Sequence, residues 1–301
     1  MIPEDSIEYC RDVLRRSGST FAMAFRVLPS HQRAAMTAFY AFCRLVDDTV
    51  DEAPSAEVAA TQVSEWYGRL DKVYDGQPQD QVDVALKWAI ERFGIQKRHL
   101  ELILEGVAQD ISVRTYDTFD ELYEYCYRVA SSVGLVCVTI LGELTDELEL
   151  YAELTGIAVQ MTNILRDIGE DARRGRIYIP LEDLEAFGIC PDGLLNGQVI
   201  EQLQPLFRFE ACRTRHFYTM AEASLPRGLR HELFFTETLR ETYLKLFQRL
   251  ERKGFCLDSG KVSLGRREKL SIVAKRRLHP GTIVAAMGRR SRMYRRVTRG
   301  G

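Results

Sequence analysis

Two groups of residues in this 301-residue chain have the types and spacing to do chemistry. The first is ArgLeuValAspAspThrValAsp, residues 44–51. Asp47 and Asp51 are four apart, so on a helix both carboxylates project from one face, with Arg44 one turn earlier. The second is GlnMetThrAsnIleLeuArgAspIleGlyGluAsp, residues 160–171, where Asn163, Asp167 and Asp171 recur at i, i+4 and i+8 and Arg166 sits beside them. Both are flanked by apolar residues: Leu45, Val46 and Val50 in the first, Ile157, Met161, Ile164, Leu165 and Ile168 in the second. An acidic stripe on an apolar helix is costly to bury without a cation. Hard oxygen donors in pairs suit Mg²⁺, which keeps part of its water and shares phosphate oxygens with a substrate. Alone, the first stripe reads as a solvated helix end. Two stripes facing each other across a cavity read as a diphosphate site, with Mg²⁺ between acids and phosphate and the arginines neutralising the remaining charge.

Two further stretches belong with them. AlaArgArgGlyArgIleTyrIlePro (172–180) follows the second stripe, and its Arg173, Arg174 and Arg176, with a glycine that permits movement, read as a lid over a phosphate. TyrCysTyrArgValAlaSerSerValGly (125–134) places Ala130, Ser131, Ser132 and Gly134 on one helix. Small residues there serve close packing or leave room for a ligand, and packing is the reading the residues alone favour.

The elements that must position these residues are helices. Periodicity predicts helices over 3–16, 30–52, 56–74, 79–93, 96–112, 118–143, 146–172, 198–223, 228–253 and 266–278, with Ser30 as the N-cap of the second. Turn chemistry separates them at 75–78, 94–95, 188–193 and 225–228, and no useful strand alternation occurs. The expectation is one all-α domain over residues 1–280 with a cavity between helices, followed by a flexible basic tail, 281–301. With 46% hydrophobic and 28% charged residues, the composition excludes a disordered or collagen-like chain. Seven scattered cysteines without a CxxC pair exclude a disulfide framework and a zinc site. The N-terminus has acids and no apolar core, unlike a signal peptide. The longest apolar run, Val133 to Leu141, falls short of the roughly 20 residues a bilayer requires. The expected location is cytoplasmic. After Glu268 there are ten basic side chains and no acid, so the first 268 residues carry −12 against −2 for the whole. A basic tail on an acidic body points to an anionic membrane surface. Nucleic acid is not expected, because Tyr294 is the tail's only aromatic.

On these motifs, together with SerGlySerThrPhe (17–21), TyrAlaPheCys (40–43) and ArgIleTyrIlePro (176–180), the chain resembles the squalene/phytoene synthase family over about residues 5–280. The resemblance implies an all-α isoprenoid synthase fold, with the acidic motifs on opposite walls of a central cavity. It implies that Asp47, Asp51, Asn163, Asp167 and Asp171 are Mg²⁺ ligands for two or three ions. Ser17, Ser19, Thr20, Tyr40, Arg44, Gln160, Arg166 and Tyr243 match substrate-binding positions, and Tyr178 matches a tyrosine near the diphosphate. Phe25 and Thr37 match positions lining the tail pocket, where Phe25 would cap a C15 tail and Thr37 would leave room.

The implied reaction joins two prenyl diphosphates head to head. One allylic diphosphate ionises, the cation attacks the 2,3-double bond of the second molecule, and proton loss gives a cyclopropylcarbinyl diphosphate. A second ionisation with ring rearrangement gives a linear triterpene or tetraterpene. Apolar walls keep water from the cation, and the faces of Phe21, Phe25, Tyr40 and Tyr127 can stabilise it by up to about 2 kcal/mol each. No general base stands out, which leaves the released pyrophosphate to take the proton. ArgValAlaSerSerValGlyLeuValCys (128–137) and LeuGluArgLysGlyPhe (250–255) look most like C15-using members, so the expected substrates are two farnesyl diphosphates giving presqualene diphosphate, squalene or dehydrosqualene. The alternative is a phytoene synthase using two geranylgeranyl diphosphates. A non-catalytic assembly factor of the same fold is disfavoured by the intact acids, and a cyclising terpene synthase by the form of the second motif. No dinucleotide fingerprint is present, and the sequence leaves a reductive step with NADPH open.

Overall fold

The computed structural model describes residues 1–17, 25, 28–142, 144–195, 203–225, 233–255 and 262–277. Ser19, Thr20, Phe21 and the 281–301 tail lie outside them. The elements are α1 (Glu4–Arg16), α2 (Ser30–Asp51), α3 (Ala56–Tyr74), α4 (Gln81–Phe93), α5 (Lys97–Ser112), α6 (Phe119–Cys126), a π-helical turn (Tyr127–Ser131), α7 (Ser132–Leu141), α8 (Asp146–Arg173), the short α9 (Leu181–Ala186) and α10 (Pro191–Leu195), α11 (Leu203–Ser224), α12 (Phe234–Arg252) and α13 (Arg266–Arg277). No strand forms among the described residues; Thr115 and Ile177 make an isolated bridge.

Local chemistry sets most helix starts. Ser55, Asp80, Thr118 and Thr145 each cap a helix by accepting a backbone N–H with the side chain. Gly94 ends α4 at φ +70°, a conformation glycine adopts freely. The expected cap of α2 is corrected: Pro29 holds the N-cap position, no side chain caps this end, and Ser30 is already helical. Proline's fixed φ and missing N–H suit it to a helix start, which displaces Ser30 inward.

The core has two halves. One gathers α1 to α5, α7 and the start of α8, around Ile7, Phe42, Leu86, Leu100 and Tyr151. The other gathers α6, the rest of α8, α11 and α12, around Leu122, Ile157, Phe207 and Phe247. The first acidic stripe, on α2, therefore belongs to one half, and the second, late on α8, to the other.

The rod Phe119–Leu141 ties the halves together. By length and composition its 23 residues suffice to cross a membrane, more than the short run read from sequence, yet 61% of its apolar window is buried in the bundle. Its small residues serve close packing, as the residues alone favour. A Cβ on Gly156 of α8 would stand 2.5 Å from Ser131 Cα and N, and one on Gly106 of α5 would stand 2.5 Å from Val129 Cγ1. The π turn lies where these two glycines close on the rod, and it interrupts the single helix expected over 118–143.

Candidate active site

The α2 wall carries Asp47 and Asp51. Arg44 donates its Nε to Asp48 Oδ2 at 3.0 Å and pairs with Asp48 through Nη2 as well, so its fork is spent on Asp48 rather than on Asp47. Asp47 is open to solvent at its tip but enclosed by protein further out. That desolvation, then the neighbouring Asp51, pushes its carboxyl up to about 7, against a smaller pull from Arg44 and with added pushes from Asp110 and Asp48.

The α8 wall carries Asn163, Asp167 and Asp171. Arg166 donates Nε to Asp167 Oδ1 at 2.8 Å and pairs through Nη2 with Oδ2. Burial, then Asp167, raises Asp171 to about 6, opposed by Arg176. Asn163 Nδ2 points to Gln160 Oε1 at 3.4 Å, while Asn163 Oδ1 is buried without a hydrogen-bond partner. Tyr243 of α12 lies against Asn163 and in the field of Arg166, Asp167 and Tyr40, so it stands between the walls.

Arg176 lies within electrostatic reach of both acidic stripes, and Asp110 of the first. Arg176 acts on Asp51 and Asp110 from one side and on Asp171 from the other. Asp110, at the end of α5, acts on Asp47 and exchanges influence with Asp51. Asp110 Oδ1 accepts the Tyr178 hydroxyl at 2.9 Å, Oδ2 accepts Tyr125 at 3.1 Å, and the backbone carbonyl accepts Arg176 Nη2 at 2.9 Å. The rings of Tyr116, Tyr125 and Tyr178 pack behind it at 5.3–6.0 Å. Sequence reading did not single out Asp110 or Tyr125. Asp110 has no partner acid at helical spacing on α5, and only the fold brings it to the cleft.

The expected lid is a tied strap. Ile177 N donates to Arg114 O at 2.8 Å, Leu181 N to Tyr116 O at 2.9 Å and Glu182 N to Asp117 O at 3.1 Å, which stitches 176–182 along 113–119. Within 172–180 the exposed residues are the turn at Arg173, Arg174 and Gly175, with Gly175 at φ +72°.

The remaining expected residues fall in two places. Tyr40 donates to Ser17 Oγ at 2.8 Å, and Ser17 in turn donates to Leu14 O, which links α2 to the end of α1. Phe25 is buried between Tyr40 and Phe235, with ring centroids at 6.4 and 5.3 Å. Tyr127 lies elsewhere: the charges acting on it are Glu153, Glu149, Glu124 and Arg98, none from either acidic stripe. Tyr125, on the helical turn before the π turn, is the tyrosine of this stretch that bonds Asp110.

Among the described residues no three Asp, Glu, His or Cys side chains gather into a ready metal cluster. The acids stand in pairs on two helices, each pair disfavouring its own ionisation. That donor set fits a cation held by one or two carboxylates and completed by phosphate oxygens, and the orphaned Asn163 Oδ1 is a further hard donor awaiting one.

Acid pairs on opposed helices, bridged by a basic and aromatic strap inside an all-α bundle, define a class of enzyme that grips a prenyl diphosphate and shields a carbocation: an isoprenoid synthase. The squalene/phytoene synthase profile matches residues 14–268, and the chain belongs to this family of prenyltransferases, which join prenyl diphosphates head to head. It is 36% identical over 267 residues to a phytoene synthase of Arthrospira platensis, covering 83% of this chain and 85% of that one. It is 38% identical over 239 residues to a 15-cis-phytoene synthase of Synechocystis sp., covering 75% and 70%. Among solved structures it superposes on a dehydrosqualene synthase in complex with ligand with a TM-score of 0.79 at 26% identity, covering 91% of this chain and 96% of that one. The squalene synthase HpnC of Alicyclobacillus acidocaldarius follows at 0.75 and 27%, covering 83% and 95%. The phytoene synthases favour the C20 alternative over the C15 expectation.

Proposed function

We propose that this protein condenses two geranylgeranyl diphosphates to phytoene. The observation that carries this reading is the identity of 36–38% to phytoene synthases, against 26–27% to the dehydrosqualene and squalene synthases that share its fold. Thr37, buried on α2, adds room where a longer tail needs it. In this reading Asp47, Asp51, Asn163, Asp167 and Asp171 hold two or three Mg²⁺ ions, which when bound neutralise the diphosphates and stabilise departing pyrophosphate. Arg176 and Tyr178 bind diphosphate oxygens, with Gln160, Tyr243, Ser17, Ser19 and Thr20 beside them, while Arg44 and Arg166 hold the carboxylates of Asp48 and Asp167. Tyr40 and Phe25 present aromatic faces to the tail and the cation. Loss of the first pyrophosphate lets C1 bond across the second molecule's 2,3-double bond, and a proton leaves as the cyclopropane closes. Loss of the second pyrophosphate opens the ring, and a second proton loss forms the central double bond. This outcome needs no NADPH.

The ten basic side chains after Glu268 support a second proposal, reversible contact with an anionic membrane that receives the water-insoluble product. The substrate is tested by offering farnesyl and geranylgeranyl diphosphate together with Mg²⁺ and separating the hydrocarbons. A C40 product is expected. Predominantly C30 product would return the assignment to the C15 reading.

A further inference from the structure

Arg213 of α11 occupies an unusual position. Its guanidinium lies 4.1 Å from the ring centroid of Phe119 and 4.6 Å from that of Phe209, between the two rings. Nη1 donates to Asp183 Oδ2 at 2.6 Å and to Glu210 Oε1 at 2.8 Å, and Nη2 reaches Asp183 Oδ1 at 3.3 Å. Glu210 is 1% exposed and Asp183 6%. Asp183 stands three residues after Pro180, where the strap carrying Arg176 and Tyr178 ends. Phe119 closes the 113–119 segment to which that strap is stitched, and its backbone N–H donates to Glu182 Oε1 at 2.6 Å. One side chain thus grips both edges of the strap, one by charge and the other through a ring face, while Glu210 fixes it to α11.

We propose that Arg213 is a positioning residue that sets the strap over the acidic cleft, so that Arg176 and Tyr178 meet the substrate diphosphate. The inference rests on the reading that the strap binds diphosphate. Arg213 itself touches neither acidic stripe among its resolved partners; its effect passes through Asp183 and Phe119. The planar fork is essential to this arrangement, because it bonds a carboxylate in its plane while stacking between rings, which an ammonium cannot do.

The test uses the full chain without prenyl substrate. Trypsin cleavage at the exposed Arg173 and Arg174 is followed by mass spectrometry, and protection of that turn is titrated with Mg²⁺ and inorganic pyrophosphate. Arg213→Ala is expected to speed cleavage about tenfold and to raise the pyrophosphate needed for half-protection by a similar factor, as displaced binding groups do. Arg213→Lys is expected to recover part of both losses and guards against a misfolded alanine variant. Arg69 supplies the control for general loosening. It lies 4.0 Å from the Trp66 ring and bonds the buried Asp83 at 2.7 Å, within α3 and α4. Arg69→Ala is expected to lower the melting temperature while leaving cleavage and pyrophosphate protection unchanged. Wild-type cleavage or wild-type pyrophosphate protection in Arg213→Ala would overturn the proposal, and so would equal effects from Arg69→Ala. Arg176→Ala separates the two layers. If it leaves pyrophosphate protection intact, the strap does not hold diphosphate, whatever the cleavage rate reports about the clamp.

Discussion

Two arginine forks beside the acidic stripes are already spent, Arg44 on Asp48 and Arg166 on Asp167. The charge left over calls for a cation. Asp47→Asn and Asp167→Asn are expected to abolish turnover at saturating Mg²⁺ with circular dichroism unchanged; retained turnover in either would remove the acids from the reaction. In metal-free buffer near neutral pH Asp47→Asn is expected to unfold at a higher temperature than wild type, by about 1 kcal/mol once solvent screening of its exposed tip is allowed for. Asp110 makes a second test at this scale. Tyr125→Phe removes a hydrogen bond to a carboxylate and is expected to lower kcat/KM about 10–100-fold. Tyr127→Phe, which faces Glu153 and Glu149, is expected to stay within about twofold of wild type on the same ground. Equal losses in both would mean that the Tyr125 bond to Asp110 carries no special weight in the reaction.

Helix contacts decide where these side chains stand. The rod is held between Gly106 and Gly156 so closely that an added methyl cannot be absorbed without backbone movement. Gly156→Ala is expected to cost about 3 kcal/mol in denaturant unfolding, as overpacking does; a cost below 1 kcal/mol would show that the helices part easily. The strap's anchor makes a prediction in pH. Burial, with Asp183 close by, pushes the Glu210 carboxyl up to about 8 despite Arg213. A carboxyl that the fold holds protonated stabilises fully below its ordinary value of 4.5, and that stability is lost as pH rises through about 8. Glu210→Gln, which cannot ionise, is therefore expected to match wild type near pH 4 and to exceed it by about 1–3 kcal/mol at pH 9. Parallel stability–pH curves for the two proteins would refute this.

For the whole molecule, charge and product solubility act together. A body of net −12 is repelled by anionic lipid, whereas ten basic groups after Glu268 each contribute about 1 kcal/mol near such a surface. A chain truncated after Pro280, which loses six of the ten, is expected to keep its activity in detergent and to co-sediment far less with anionic liposomes. Full-length protein should pellet at low salt and be released at high salt. Equal pelleting of both forms, or pelleting indifferent to salt, would rule out the tail as the membrane contact.

Helix periodicity, caps and the i, i+4 acids are local properties, and so the all-α class, most helix spans and both acidic stripes were legible in the residues themselves. Spacing along one helix sets which side chains share a face, and the sequence contains that spacing in full. What faces that helix depends on packing between distant segments, and this the fold alone decided. It brought Asp110 from α5 beside the α2 acids, set the Tyr125 hydroxyl on Asp110, and tied an expected mobile lid to the 113–119 segment. The pairing of Arg44 with Asp48, by contrast, is an i, i+4 contact within one helix and belongs to what local spacing determines. Tail length is the same kind of question: a carboxylate spacing along one helix says nothing of how much room distant segments leave for a longer or shorter chain.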